Sequence, residues 1–326
     1  MAGRSNSQWL AGPILAVVAL LVGACSTTTT VTEQELDAED PEFATVVEES
    51  PTTTPAATPV AAPAAEVIVY ERPVDEVLQI FVSDVDGANE RQLTSEPIDS
   101  GQVSLSGDRT HMAFARDGNL YLMAIDGGGL EQVTNTDAFD ALPALSPDGS
   151  QLVFTRAAAG AELVLLDLDT DEEEKLVANV NAFGAAWSPD GTRVAFHGDL
   201  EVASDETALF VVDVATGETE QLTAFDESRF ATWSPDSSMI AFHRISTETD
   251  RAGRFARNIW VLDVATGEER VLIDHPDLDR SPSWTASGEI AFFRDGPAVN
   301  DLQIMIFDPE TGEVTPTGIN GSRPSW

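Results

Sequence analysis

Short apolar segments alternate with polar turns from residue 67 to the end of the chain, and the pattern returns every 40 to 51 residues. Each copy has a bulky apolar anchor that is followed by a tight turn of the Ser-Pro-Asp-Gly type. Residues 187–191, with the sequence Trp-Ser-Pro-Asp-Gly, are the clearest example. A period of this length indicates a repeat architecture, in which each copy forms one unit of the fold. The anchors are Leu105, Leu145, Trp187, Trp233, Trp284 and Trp326.

Each repeat predicts four short strands. The first strand carries the anchor, and the proline and glycine behind it preset the dihedral angles of the turn. The second strand contains a triplet such as Val194-Ala195-Phe196, the third is an apolar run such as 209–214, and the fourth ends near a Gln-Leu-Thr sequence such as 221–223. Four strands in about 40 to 45 residues, without an amphipathic helix between them, are typical of an all-β propeller.

The two ends of the repeated region complement each other. Residues 67–70 match a second strand, so the region begins without an anchor strand, whereas residues 322–326 supply an anchor strand alone. Five complete repeats and these two fragments predict a six-bladed β-propeller. We expect the last strand to pair beside residues 67–72 and to close the ring, which removes the open sheet edges. Trp326 is therefore predicted to be structural.

The Trp-Ser-Pro-Asp-Gly, Ile-Ala-Phe and Gln-Leu-Thr segments resemble the WD-like propeller repeats of the TolB-like family. The resemblance covers residues 67–326 and implies the propeller fold, but a propeller does not by itself imply a function. TolB carries an additional N-terminal α/β domain, and this chain has a different segment in its place. Two turns depart from the repeat, at Ser106-Gly107 and at Thr285-Ala286.

The first 24 residues are typical of an export signal, with Arg4 ahead of an apolar stretch from Leu10 to Val22. The run 22–25, Val-Gly-Ala-Cys, resembles the lipobox of bacterial lipoproteins, which implies cleavage before Cys25 and a lipid on its sulfur. An ordinary signal peptide with an incidental cysteine and an uncleaved anchor are the alternatives.

Residues 25–66 predict a disordered tether behind that cysteine. The segment is rich in Thr, Pro and Ala and carries nine acidic residues, and no Lys or Arg occurs between Arg4 and Arg72. Such a composition buries too little apolar surface to offset the entropy of ordering. The sequence therefore predicts three regions, a signal peptide at 1–24, a lipidated tether at 25–66 and a propeller at 67–326.

Composition excludes several classes of function. The 326 residues contain 56 Asp and Glu against 17 Lys and Arg, which gives a net charge of −39. Nucleic-acid binding through a basic surface is excluded on this ground. A single cysteine allows no disulfide within the chain, and together with four histidines it excludes a Cys/His zinc cluster.

The sequence shows no catalytic constellation, and we expect neither an enzyme nor a cofactor. His197 and His243 occupy equivalent places behind the Ala-Phe pair of neighbouring repeats and are weak candidates for a shared metal; otherwise they are ordinary strand ends. The acidic run 167–171 resembles part of a calcium loop, but the glycine and the distal glutamate are missing, which favours a hairpin turn. The recurring Ser-Pro-Asp is interpreted as a turn and not as a nucleophile beside an acid.

Arginine is the more informative residue, because Lys175 is the only lysine. We call the face where first strands begin and second strands end the top face, and the face of the Ser-Pro-Asp turns the bottom face. Five arginines end second strands, three precede anchor strands, and Arg251, Arg254 and Arg257 lie in the long connection 245–258. They either bind a ligand at the top face or pair with nearby acids such as Asp99, Asp140, Asp226, Glu227 and Asp279. The eight candidate binding residues are Arg72, Arg116, Arg156, Arg244, Arg294, Arg229, Arg280 and Arg323.

These patterns predict a non-catalytic, lipid-anchored binding propeller on the extracytoplasmic side of a bacterial membrane. Its partner would be an envelope protein or an acidic peptide or glycan, bound through the arginine-bearing top face, with specificity shaped by the connections 197–208 and 245–258. We expect a monomer. The alternatives are a propeller enzyme, a lyase or hydrolase of envelope polysaccharide or peptide, and a surface structural protein without a specific ligand.

Overall fold

A computed structural model describes residues 67–158, 160–177, 181–199, 207–249, 255–296 and 301–326. The predicted signal peptide, Cys25 and the tether lie outside these residues, as do Arg251 and Arg254. The boundaries drawn at residues 24 and 66 therefore stay predictions. None of the described segments is a helix of sufficient length and hydrophobicity to cross a membrane.

The described residues form 24 strands. The first group along the chain is β1 (Val67–Val74), β2 (Val77–Asp84) and β3 (Arg91–Gln92). The second is β4 (Ser100–Leu105), β5 (His111–Arg116), β6 (Asn119–Ala124) and β7 (Glu131–Gln132). The third is β8 (Phe139–Leu145), β9 (Gln151–Ala157), β10 (Ala161–Asp167) and β11 (Glu173–Lys175).

The later strands continue the same order. They are β12 (Asn181–Trp187), β13 (Arg193–Asp199), β14 (Ala208–Asp213) and β15 (Thr219–Gln221). Next come β16 (Ser228–Trp233), β17 (Met239–Thr249), β18 (Phe255–Asp263) and β19 (Glu269–Ile273). The last are β20 (Leu278–Trp284), β21 (Ile290–Asp295), β22 (Leu302–Phe307), β23 (Val314–Asn320) and β24 (Ser322–Ser325).

Antiparallel pairing of consecutive strands gives four sheets of four strands and one sheet of eight. The eight-stranded sheet contains two meanders, β16–β19 and β20–β23, which are joined by a single parallel bridge between Arg257 and Leu278. The first strands of the meanders pack against one another in succession, from β4 through β8, β12, β16 and β20 to β24, and β24 packs against β4. The predicted all-β propeller is confirmed, whereas the count of six blades stays a prediction.

The closing strand pairs as the phase of the repeat requires. β24 lies beside β1 in an antiparallel ladder that joins Ser325 to Val69 and Ser322 to Glu71. Trp326, only 8% exposed, packs with Ile68 and Tyr70 of β1 in a cluster that includes residues of the preceding sheet. The ends of the repeated region therefore share one sheet, as predicted.

The core lies between neighbouring sheets. A fully buried aromatic residue occupies the same place in every second strand, at the end of the Ile-Ala-Phe triplet or its equivalent. Each of these rings belongs to a cluster that joins residues of two consecutive meanders. These residues are Tyr70, Phe114, Phe154, Phe196, Phe242 and Phe292. Burial of both faces explains why the second strands are apolar throughout instead of alternating.

The Ser-Pro-Asp turns are held by their own side chains. The hydroxyl of Ser188 donates to Oδ1 of Asp190 at 2.6 Å, and the same oxygen accepts the backbone N–H of Thr192 at 3.0 Å. These bonds lower the pKa of Asp190 to about 2. The Ser and Asp side chains are therefore engaged in hydrogen bonds within the turn. The acidic run 167–171 is likewise a hairpin turn, in which Oδ1 of Asp167 accepts from Thr170.

The two connections expected to shape specificity are shorter than the sequence suggested. β17 extends to Thr249 and β18 starts at Phe255, and these two residues pair with each other. In the other connection, β13 continues through Asp199 and β14 begins at Ala208. The ends of both segments are therefore strand, and their role in specificity stays a prediction.

Trp326→Ala tests the closure of the ring. Removing a buried tryptophan leaves a cavity beside β1, which costs about 3 to 5 kcal/mol in comparable cores. We expect a loss of that size in the free energy of unfolding, measured by urea denaturation. Leu130→Ala is the control, because Leu130 is 50% exposed and should change stability by less than about 0.5 kcal/mol. Equal effects of the two substitutions would contradict a structural role for Trp326.

Candidate binding cavity

A β-bulge lies at the same place in the first strand of each later meander and in the closing strand β24. In β4 the register against β5 shifts between Gly101 and Ser104, and corresponding shifts occur in β8, β12, β16 and β20. The bulged residue has a positive φ of 46 to 61°, the left-handed region that L-residues seldom adopt. Arg323 takes this conformation in β24. The bulged residues are Gln102, Leu142, Gly184, Phe230, Ser281 and Arg323.

Side chains of the preceding meander hold four of these bulges by accepting the bulged backbone N–H. The carboxylate of Glu71 accepts from Gln102, and Oε1 of Gln102 accepts from Leu142 at 2.7 Å. The Thr155 hydroxyl accepts from Gly184 at 3.3 Å. Glu71 and Thr155 each follow the buried aromatic residue of a second strand, so this position joins one sheet to the next.

His243 also holds a bulge, the one in β20. Its Nδ1 accepts the backbone N–H of Ser281 at 3.3 Å, which requires this nitrogen to be unprotonated. Burial lowers the pKa of His243, and the positive charges of Arg257 and Arg280 lower it further. The residue is therefore neutral and serves as a hydrogen-bond acceptor between meanders.

The two histidines do not share a site. The ring of Phe230 packs on both, with centroids 5.0 Å from His197 and 5.4 Å from His243. Burial, with Arg229 nearby, lowers the pKa of His197 to about 3. Among the described residues, no group of three His, Cys, Asp or Glu side chains is placed to hold a metal ion. The geometry supports the reading of both histidines as strand residues.

The five arginines at the ends of second strands lie against the sheets. Each follows an aromatic residue by two positions, so both side chains project from the same face of the strand. The Cζ atoms of Arg116, Arg156 and Arg244 lie 5.1 to 5.2 Å from the ring centroid of that residue. Arg294 lies 5.5 Å from Phe292, and Arg72 lies over Phe81 at 4.1 Å. Cation–π contact of this kind fixes a guanidinium beside an apolar core.

Carboxylates bind most of these guanidinium groups. Arg156 makes two bonds to Asp140, at 2.7 and 3.0 Å, and Arg294 makes two to Asp279, at 2.7 and 2.8 Å. Both of these aspartates are fully buried at the starts of first strands. Burial raises the pKa of Asp279, and the bonds from Arg294 oppose that rise. Such bidentate pairs are the strong form of an ion pair.

The other three arginines that end second strands differ in their partners. Arg72 pairs with Glu90 at 2.7 Å, and Arg244 pairs with Asp226 at 2.8 Å. Arg116 has no carboxylate partner among the described residues, and its Nε donates to the Ser100 hydroxyl at 2.8 Å. The described contacts thus support the alternative in which top-face arginines pair internally. Asp99, another expected partner, instead accepts the backbone N–H of Leu78.

Arg229, Arg280 and Arg323 lie inside first strands and do not precede them, because those strands begin earlier than the sequence suggested. Arg229 pairs with Glu227 at 2.6 Å, and Arg280 pairs with Asp295 at 3.0 Å. Arg323 lies 3.8 Å from the carboxylate of Glu71, which is 1% exposed. Burial raises the pKa of Glu71, and Arg323 opposes this rise.

A central cavity of about 590 Å³ is the concave site that the sequence reading missed. It is lined from the bulges down to the bottom turns by the first strands β4, β8, β12, β16, β20 and β24. One layer of its wall is entirely apolar: Val103, Pro143, Ala185, Ala231, Pro282 and Pro324. The next layer is small and partly hydroxylated: Ser104, Ala144, Ala186, Thr232, Ser283 and Ser325.

The cavity differs in charge from the rest of the protein. Arg109 and Arg323 line it, and the described lining includes no Asp, Glu, Lys or His. Of the eight predicted binding residues, Arg323 is the one that the structure brings to this lining. Arg109 was missed, and it stands where the turn at 188–191 has Gly191.

The ring of meanders around one cavity defines the protein as a β-propeller. Residues 102–317 match the family described as the Tricorn protease N-terminal beta propeller domain. The match covers well over half of the chain, so the chain belongs to this family.

Relatives include the TolB homologue of Chlorobium chlorochromatii, which is 29% identical over 109 residues. That match covers 32% of this chain and 25% of the relative, so the chain aligns with a quarter of the length of that protein. The TolB homologue of Chlorobium luteolum is 28% identical over 109 residues, which are again 32% of this chain and 25% of the relative. The resemblance to the TolB-like family seen in the repeats is confirmed.

Solved structures share the fold. The crystal structure of TolB from Acinetobacter baumannii has a TM-score of 0.67 at 20% identity, covering 80% of this chain and 66% of that one. A putative TolB from Agrobacterium tumefaciens gives 0.62 at 18% identity, covering 77% and 87%. An oligogalacturonate lyase in complex with manganese gives 0.51 at 18% identity, covering 77% and 73%.

Arg294→Ala tests whether the arginines that end second strands are structural. The substitution leaves the buried Asp279 without its partner, and breaking a buried pair costs about 3 to 5 kcal/mol. We expect a stability loss of that order in urea denaturation. Arg270→Ala is the matched control, because Arg270 is exposed on β19 and should stay within about 0.5 kcal/mol of the parent. A stable Arg294→Ala protein would restore this arginine as a ligand-binding candidate.

Proposed function

We propose that the chain is a non-catalytic binding protein whose central cavity receives part of an envelope protein, peptide or polymer. The observation that carries this proposal is the cavity of about 590 Å³, lined by apolar and small side chains with two arginines. Its size is in the range of sites that enclose a ligand, and a largely apolar wall with few polar groups is typical of such sites. These features favour recognition in the cavity over recognition by the top-face arginines.

Binding is favoured over catalysis by how the polar groups are used. His243 accepts a backbone N–H, the Ser-Pro-Asp side chains hold turns, and the buried aspartates hold arginines. These bonds leave the described groups committed to the fold. The oligogalacturonate lyase shares the fold alone, and its activity does not transfer to this chain.

The proposal includes a place in the cell and a chain organisation. Cleavage before Cys25 and its lipidation would leave a lipoprotein with residues 25–66 as a tether and a six-bladed propeller at 67–326. The apolar stretch ahead of Cys25 and the absence of Lys and Arg from the tether support export. The propeller would then stand on the extracytoplasmic side of the membrane, as a monomer that needs no cofactor.

Cys25→Ser tests the lipid anchor. Cells that express the full chain are grown with an alkyne analogue of palmitate, and incorporation is measured by fluorescent coupling after gel separation. We expect label on the parent chain and on the control Ser26→Ala, and none on Cys25→Ser, because the lipid needs a thiol at the cleavage site. An unlabelled parent chain, or a labelled Cys25→Ser chain, would refute the anchor.

Thr232→Trp tests binding in the cavity. Thr232 lines the wall on β16, where an aromatic side chain suits a strand but fills the space available to a partner. Envelope partners are cross-linked in intact cells, captured on the full chain and compared by mass spectrometry. We expect specific partners of the parent chain to be lost in Thr232→Trp and kept in the control Thr219→Trp on the exposed strand β15. Identical partner sets for the two variants, or no partner of the parent chain, would overturn the proposal.

A further inference from the structure

Arg109 occupies a turn position that glycine fills in three other meanders and that the small residue Ser237, with a φ of 59°, fills in a fourth. Its φ is 57°, and Gly149, Gly191 and Gly288 adopt 75, 71 and 92° at the equivalent place. A left-handed conformation costs an L-residue roughly 1 to 2 kcal/mol, and glycine avoids that cost. An arginine is therefore not explained by the needs of the turn. Strained positions of this kind concentrate at functional sites.

The same turn departs from the repeat at a second residue, Gly107, and this departure holds the backbone of the turn that carries Arg109. Gly107 stands where Pro189 stands in the turn 188–191, and its backbone N–H donates to the carbonyl of Pro147 at 3.1 Å. A Cβ at Gly107 would lie 2.4 Å from that oxygen, so only glycine allows this contact. The turn 106–110 is thereby bonded to the turn of the next sheet, and both line the bottom end of the cavity.

The guanidinium of Arg109 has no carboxylate or hydrogen-bond partner among the described residues. Arg323, the other cation of the lining, lies against Glu71. The described lining carries no acid that could neutralise Arg109, although the protein as a whole has a charge of −39. A cation that lines the mouth of a cavity and has no internal partner among the described residues is suited to a carboxylate from outside.

We propose that Arg109 binds a carboxylate of an extended acidic peptide that enters the cavity from the bottom face; this rests on the proposed function. The apolar layer above Arg109, from Val103 and Pro143 round to Pro324, favours a peptide over a glycan. Sugar hydroxyls placed against such a layer would lose water without gaining partners, whereas small apolar side chains gain from burial. The ligand thus combines small apolar residues with a carboxylate that remains at the mouth.

The test compares two fluorescein-labelled peptides, an alternating Ala-Pro-Glu hexamer and its Ala-Pro-Gln counterpart, by fluorescence anisotropy with the full chain in detergent. The parent chain should bind the Glu peptide about tenfold or more tightly than the Gln peptide, the gain expected of a hydrogen bond to a charged group. Arg109→Gly should abolish this preference. Arg109→Lys should keep part of it, because lysine retains the charge but loses the planar fork.

Two controls separate recognition from folding. Arg109→Gly should melt no lower than the parent chain, because glycine adopts the left-handed turn without strain. Arg270→Gln removes a comparable positive charge from the exposed strand β19 and should keep the preference for the Glu peptide. An unchanged preference in Arg109→Gly, or equal binding of the two peptides by the parent chain, would overturn the assignment of Arg109.

A third ligand and the partner experiment distinguish the remaining readings. Tetragalacturonate that binds the parent chain when the Glu peptide does not would overturn the peptide and favour a glycan. If the cross-linked partners are lost in Thr232→Trp but kept in Arg109→Gly, binding in the cavity stands and the role of Arg109 fails. If Thr232→Trp keeps every partner, the proposed function itself fails.

Discussion

The left-handed bulge in each first strand is the constraint on which the ring depends. A bulge turns one backbone N–H out of the ladder of its own sheet, and a buried N–H must find a partner. In four of the bulges the partner comes from the preceding meander, as Glu71, Gln102, Thr155 and His243 show. Each of these bonds gives a bulged N–H its acceptor and also joins two neighbouring meanders. The bulged residues also line the cavity, so the cavity wall and the contacts between meanders share one origin.

The sequence revealed the strands because its strongest signals are local. Ser-Pro-Asp turns and a regular period depend only on residues close together in the chain, and the phase of the two ends was enough to predict the pairing of β24 with β1. The bulges could not be predicted from local signals of this kind. Leu142 and Phe230 have no preference for a left-handed backbone, and the groups that hold the bulges lie on another meander.

The ion pairs of the arginines could not be predicted from the sequence either. Their recurrence two residues after an aromatic was visible in the sequence, but their partners were not. Arg156 reaches Asp140 on the neighbouring strand and Glu173 on the outermost one, and that choice depends on how side chains cross a twisted sheet. Paired in this way, they neutralise buried acids, and the surplus of negative charge remains on the turns. Arg109 could not be singled out because Ser237 also replaces glycine at this turn position, so a side chain there is not in itself a signal of function.

The position of Glu71 has a consequence for how the ring holds together. Its carboxylate is contributed by β1, bonds to the bulge of β4 and lies against Arg323 of β24. Without residues 322–325, β1 would present an unpaired edge, and the buried Glu71 would lose the cation beside it. Contacts between segments that are so distant in sequence form slowly during folding. Until they form, that edge is open to other chains, so the closing strand protects the protein from aggregation.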